Sequence, residues 1–118
     1  MMLSCSPSIS IKGDWKVVSA YEVKMEGQLM QPYISFQDSG RVAGSTGVNF
    51  FSGEYSSKGE VLSFGDMDMT RRASADMEAE SAIVKALHSA TSFRSKDGDL
   101  IIRDAEGKDV MVLRKKEK

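Results

Sequence analysis

Gly40-Arg41-Val42-Ala43-Gly44-Ser45-Thr46-Gly47-Val48-Asn49-Phe50-Phe51-Ser52-Gly53-Glu54-Tyr55 is the stretch that decides the fold. It reads as strand, turn and strand, with glycines supplying the backbone freedom that tight turns need. Its glycine density invites a phosphate-loop reading. A P-loop, however, ends in Gly-Lys-Ser/Thr opening a helix, so that backbone N–H groups and the lysine converge on phosphates. No lysine follows here, so turn glycines are the better reading. Asn49 fits the same turn, either bonding local backbone or taking the left-handed conformation.

Outward from this stretch, most of the chain keeps a period of two. In Trp15 to Val23 the odd positions hold Trp15, Val17, Tyr21 and Val23, while the even ones hold Lys16 and Glu22. That alternation places one strand face in a core and the other in water. Ile34 and Phe36 alternate with Ser35 and Gln37. Leu62 and Phe64 are expected on one face, Met67 and Met69 on the other. Leu100-Ile101-Ile102 and Val110-Met111-Val112-Leu113 suit more deeply buried strands. Asp38-Ser39-Gly40, Ser57-Lys58-Gly59, Lys96-Asp97-Gly98 and Glu106-Gly107-Lys108 mark turns.

One segment departs from this pattern. From Ser74 to Ser89, Ala79, Ile83, Ala86, Leu87 and then Ala90 recur at spacings of three and four, which is one face of a helix. The pattern predicts about four turns of amphipathic helix. Ser74 or Asp76 is placed to cap it, with Glu78 and Glu80 near the positive end of the dipole. The predicted fold class is mostly β (α+β): a curled antiparallel sheet or small β-barrel with one amphipathic helix packed on it.

A chain of 118 residues predicts one domain, able to bury roughly 65% of its unfolded surface. Residues 1–9 read as a tether, 10–115 as the domain and 116–118 as a basic tail. Sixteen basic and seventeen acidic residues leave a net charge of -1, which offers no global field for nucleic acid. No nucleic-acid partner is expected. Cys5 and His88 are the sole residues of their kinds, so neither an internal disulfide nor a cysteine-based zinc site can be built, and a metal site built on imidazoles would need a second chain. Neither a metal nor a cofactor is expected.

Met1-Met2-Leu3-Ser4-Cys5 resembles the end of a bacterial lipoprotein signal, with Cys5 as the lipidated residue and Ser6-Pro7-Ser8 as a short tether. The basic and apolar regions of a signal are missing from the sequence. A lone cysteine in a frayed terminus is the equal alternative. Membrane contact is expected only through that lipid. The envelope is accordingly the expected location, with the cytoplasm as the alternative.

Motif order adds a resemblance. Gly13-Asp14-Trp15 opens the domain, and the quoted central stretch follows. Leu62-Ser63-Phe64-Gly65, then Met69-Thr70-Arg71-Arg72-Ala73-Ser74, precede the helix. Over about Ile11 to Leu113 the chain resembles the META domain, the HslJ-like family of small heat-shock-associated proteins. That family shows Gly-x-Trp, then Gly-x-x-Gly-Cys-Asn-x-Phe-x-Gly-x-Tyr, then Thr-(Arg/Lys)-x-Ala-Cys. Trp15, Gly44, Gly47, Asn49, Gly53, Tyr55, Thr70 and Arg71 match as signature residues, structural or binding. Val48 and Ser74 stand where the family often has cysteine, so no redox or disulfide role carries over. The resemblance implies a compact β-rich fold, often in envelope or secreted proteins, with no agreed enzymatic activity and a loose association with stress.

Other motifs have plain readings. Arg71-Arg72-Ala73-Ser74 resembles a kinase-recognition motif or an anion site at a helix start. Ser74 capping the helix and Arg71 pairing with a carboxylate or carbonyl explain it more simply. Met67, Met69 and Met77 could suggest a thioether copper site, but methionine commonly fills core gaps. His88 near the helix end suits the dipole, and one histidine supports no Ser/His/Asp arrangement. Arg114 to Lys118 reads as a solvated basic tail.

No catalytic residue is assigned and the chain is read as not an enzyme. It is expected to be a META-like domain acting through an unidentified protein or small-molecule partner, with a monomer as the working expectation. One alternative is a small barrel that binds an apolar ligand, which calls for an internal pocket. Another is a proteinaceous inhibitor of an envelope hydrolase, which calls for an exposed loop with anchor side chains.

Overall fold

The computed structural model describes residues 11–25, 30–73 and 77–116. The tether read at residues 1–9 lies outside them. Nine strands and one α-helix follow in order. The strands are β1 (Gly13–Ala20), β2 (Val23–Lys24), β3 (Tyr33–Phe36), β4 (Arg41–Ser45), β5 (Phe50–Lys58) and β6 (Val61–Met69). After the helix α1 (Glu78–Ser89) come β7 (Ser92–Lys96), β8 (Asp99–Arg103) and β9 (Asp109–Lys115). Neighbouring strands pair antiparallel, and β1 also pairs with β9. The sheet therefore curls until its hydrogen bonds form a ring, with β2 extending along β1. The seam between β6 and β7 is thin, with Val61 opposite Ser92 as the sole registered pair.

The four glycine-marked turns are where the sequence puts them. A fifth turn carries no such mark. Tyr21 and Glu22 have φ values of 46° and 67°, so the Trp15–Val23 run breaks into β1 and β2 around a two-residue hairpin. Such a hairpin favours Asn-Gly or Asp-Gly. Holding two ordinary residues there costs on the order of 1–3 kcal/mol each. Tertiary contacts fix the turn: Tyr21 Oη donates to Ser89 Oγ at 3.0 Å, and Lys85 Nζ lies 4.6 Å from the Tyr21 ring centroid.

Three register shifts interrupt the sheet, and the two in β1 and β6 correct the alternation read in those strands. In β1 the register against β9 slips between Val17 and Ser19, so the buried positions run Trp15, Val17, then Ala20. In β6, Gly65 and Asp66 together face Glu54, because Gly53 pairs with Met67 and Tyr55 with Phe64. This extra residue reverses the phase of the strand. Met67 and Met69 consequently pack against the same core as Leu62 and Phe64, and not on the opposite face.

The helix is shorter than its sequence pattern, at 12 residues, and Met77 occupies its N-cap without a side-chain bond. Ser74 and Asp76 lie outside the described residues. Its apolar face is as read, with Ala82 added: Ala79, Ala82, Ile83, Ala86 and Leu87 are buried. They join Val17, Ile34, Phe36, Leu62, Ile102 and Leu113 in one contiguous cluster. Each fully buried aliphatic or Phe side chain contributes roughly 1.5–3 kcal/mol. The inward positions, where an internal ligand chamber would sit, form this core.

The basic end of the chain is exposed, as the solvated-tail reading has it, but as far as it is described it is held by specific contacts and is not frayed. Arg114 donates twice to Asp99 across the β8–β9 ladder, at 3.0 and 3.1 Å. Lys115 Nζ donates to the Lys12 carbonyl at 3.0 Å and lies 4.9 Å from the Trp15 ring centroid. Lys116 Nζ is 4.9 Å from the Tyr33 ring centroid. Glu117 and Lys118 fall outside the described residues.

Hydrogen bonding from Arg114 holds the Asp99 carboxyl below the ordinary aspartate range, outweighing its partial burial. The stabilisation is therefore present at neutral pH and is lost as pH falls through the folded-state value. A carbon-13 carboxyl titration should show the Asp99 midpoint rising toward the ordinary value in Arg114→Gln. An unchanged midpoint would refute the assignment.

Candidate functional site

The β4–β5 turn is built from Thr46. This residue is 0% exposed, and its hydroxyl accepts the N–H groups of Val48 and Asn49 at 3.2 and 3.0 Å. Gly47, with φ 96°, lets the chain reverse there, and its N–H donates to Ser45 Oγ at 3.0 Å. The turn delivers Asn49 into a place where it is 2% exposed.

Asn49 does more than the local role expected of it. It is absent from the positive-φ residues, and its side chain reaches distant segments. Nδ2 donates to the Arg72 carbonyl at 3.0 Å and to Glu80 Oε1 at 2.7 Å. Oδ1 accepts from Thr70 Oγ1 at 2.9 Å and from the Arg72 N–H at 2.6 Å. Every hydrogen-bonding position of the amide is thus used. Thr46 Oγ1 donates to the same Glu80 oxygen at 2.7 Å. Thr70 also accepts the Phe50 N–H and donates its own N–H to the Phe50 carbonyl, both at 3.0 Å. The turn, the segment after β6 and α1 are fastened together at one point.

Beside this point a surface groove of about 370 Å³ runs between the end of β6 and α1. Asn49, Thr70 and Glu80 line it, together with Met67, Met69, Val84 and His88. Arg71 and Arg72 stand at its exposed lip, and neither guanidinium has a carboxylate partner among the described residues. Of the two pairings expected for Arg71, carboxylate or carbonyl, the carboxylate one is therefore not formed among the described residues. Met67 Sδ would lie 2.7 Å from a Cβ on Gly53, so this thioether is used in packing against the β5 backbone. A second cleft continues past Met69 and Val84 along α1 to Lys85 and Ser89.

The remaining signature residues lie elsewhere. Trp15 is buried and donates its indole N–H to the Ile11 carbonyl at 2.8 Å. Tyr55 meets Phe36 edge-on at 4.9 Å and donates to the Gln37 carbonyl at 3.3 Å. Gly44 and Gly53 allow close approach of neighbouring strands; a Cβ on Gly44 would collide with the Tyr33 carbonyl oxygen and with the Phe51 ring. These four serve the fold, while Gly47, Asn49 and Thr70 frame the groove with Arg71 at its lip. Val48 is half-buried in the turn; Ser74 and Cys5 lie outside the described residues.

This arrangement ties the central motif to the Thr70-Arg71 motif through Asn49, and the META domain family model matches residues 9–117. The chain belongs to the META domain family. Solved structures similar to this META domain share its fold. A crystal structure of a DUF4847 family protein from Bacteroides vulgatus ATCC 8482 is 13% identical, with a TM-score of 0.65 over 91% of this chain and 94% of that one. An NMR structure of a protein from Burkholderia xenovorans is 17% identical, with a TM-score of 0.67 over 100% and 99%. Another NMR structure is 21% identical, with a TM-score of 0.69 over 86% and 87%. No curated protein matches the chain.

Glu80 and Thr46 are the residues that sequence reading misses. Glu80 reads as a helix-dipole acid, although its carboxylate faces the turn. Thr46, three residues before Asn49, carries the one usable signal, since a threonine there can accept backbone N–H groups of its own turn. Asn49→Ala should cost about 3 kcal/mol in urea unfolding, because it leaves Glu80, Thr70 and the Arg72 backbone without their shared partner in a part-buried network.

Proposed function

We propose that this META domain is a non-enzymatic binding module that takes a protein or small-molecule partner into the groove between β6 and α1. We place its work at the cell envelope, through a lipid on Cys5, in stress tolerance. One observation carries the reading: Arg71 and Arg72 stand without carboxylate partners among the described residues, above an apolar wall of Met67, Met69 and Val84. Unpaired guanidiniums beside apolar surface suit a partner that presents an acidic group next to an apolar one. The Asn49 network supports the reading by fixing the wall before anything binds, which limits the ordering cost of association. A single histidine and a single cysteine offer little from which to build a nucleophile–base pair, and this supports the non-enzymatic reading.

A photo-crosslinking residue at Val84, in the full-length gene product inside cells, tests the groove. Adducts should form there, should be absent with the same residue at Ser95, and should fade in Arg71→Gln/Arg72→Gln. Equal labelling at both positions would sink the proposal. Metabolic labelling with palmitate tests the tether. Label should enter the envelope fraction and vanish in Cys5→Ser; an unlabelled chain would remove lipidation from the scheme.

A further inference from the structure

The outer face of β7, β8 and β9 carries a separate charged cluster. Arg94 on β7 is opposite Ile101, Ser92 is opposite Arg103, and Arg103 faces Asp109 across the next ladder. Phe93 and Ile102, the neighbours that point inward, are buried in the core. Arg94 and Arg103 therefore stand on the same outward face of adjacent strands, with Asp109 beside them. Strands position such side chains more firmly than loops do.

The charges in this cluster are not balanced. The Asp109 carboxylate is shared, with Oδ1 3.4 Å from Arg103 Nε and Oδ2 3.9 Å from Arg94 Nη2. Arg103 Nε already donates to the Gly107 carbonyl at 3.0 Å. Arg94 Nε is buried and has no hydrogen-bond acceptor among the described residues. A guanidinium presents a fork of donors, and one carboxylate at these distances cannot satisfy two forks. A crevice of about 530 Å³ opens over the cluster, lined also by Tyr21, Glu22 and Lys108. Arg94, Arg103 and Lys108 outnumber Asp109 and Glu22. The Tyr21–Glu22 turn, held in its uncommon backbone conformation by α1, forms part of the wall.

We propose that this crevice is a second binding site, for a small ligand bearing an oxyanion group, phosphate or carboxylate, held between Arg94 and Arg103. An oxyanion brings acceptor atoms to the guanidinium nitrogens that Asp109 and the Gly107 carbonyl leave unoccupied. Asp109 keeps them apart and oriented before the ligand arrives, and competes with the ligand when it binds. The site is independent of the groove between β6 and α1.

Arginine Nε–H signals of the full, nitrogen-15-labelled chain give the test, with inorganic phosphate and acetate as probes at ionic strength matched by sodium chloride. The Arg94 and Arg103 signals should shift and saturate, while Arg114, already bound to Asp99, stays in place. Saturation by phosphate alone assigns a phosphoryl group, by acetate alone a carboxylate, and by both a general oxyanion site. Arg94→Gln or Arg103→Gln should abolish saturation. Asp109→Asn should tighten binding about threefold, the scale of one exposed ion pair. A linear drift shared by every arginine would overturn the proposal. So would saturation of the Arg103 signal that survives Arg94→Gln, or saturation of both signals that disappears in Arg71→Gln/Arg72→Gln with Arg94 and Arg103 intact.

Discussion

Asn49 holds a primary amide where water is excluded, and its partners come from two places far along the chain. The Arg72 backbone and Glu80 lie 23 and 31 positions away. In such surroundings a satisfied network is rigid and a half-satisfied one is costly. The geometry of the β4–β5 turn, the path of the chain after β6 and the seating of α1 are therefore set together. Thr46 reinforces this from the same turn, because its hydroxyl shapes the turn backbone and also reaches Glu80. The wall of the groove inherits its shape from this one set of bonds.

The bulge in β6 acts on the same region by another route. Without the extra residue opposite Glu54, β6 would present Met67 and Met69 to the face away from Leu62 and Phe64. The shift turns both methionines toward the core, beside α1, so that apolar side chains continue to the end of the strand. A change of phase midway along one strand thus decides the chemistry of the groove at its far end.

Strand and turn positions are legible in the sequence because period-two alternation and glycine placement are local properties. The helix face is legible for the same reason, through the spacing of Ala79, Ile83, Ala86 and Leu87. The Tyr21–Glu22 hairpin is not, since neither residue favours positive φ and the conformation is imposed by contacts with Ser89 and Lys85. The site is legible in part. Asn49, Thr70 and Arg71 stand out through motif order, but no periodicity links Asn49 to Glu80. The pairing of Arg94 and Arg103 follows from strand register, which the residues alone do not fix.

The thin seam between β6 and β7 sets where the ring can breathe. Two backbone bonds flank the single registered pair there: Leu62 N–H to the Thr91 carbonyl at 3.0 Å, and Phe93 N–H to the Glu60 carbonyl at 2.9 Å. Most other ladders are longer, so local opening is easiest along this line. The molecule is in effect a clasp, fastened at one end of β6 by a few bonds and at the other by the Asn49 knot. Anything seated between β6 and α1 would brace the knotted end and leave opening to the seam at the start of the strand.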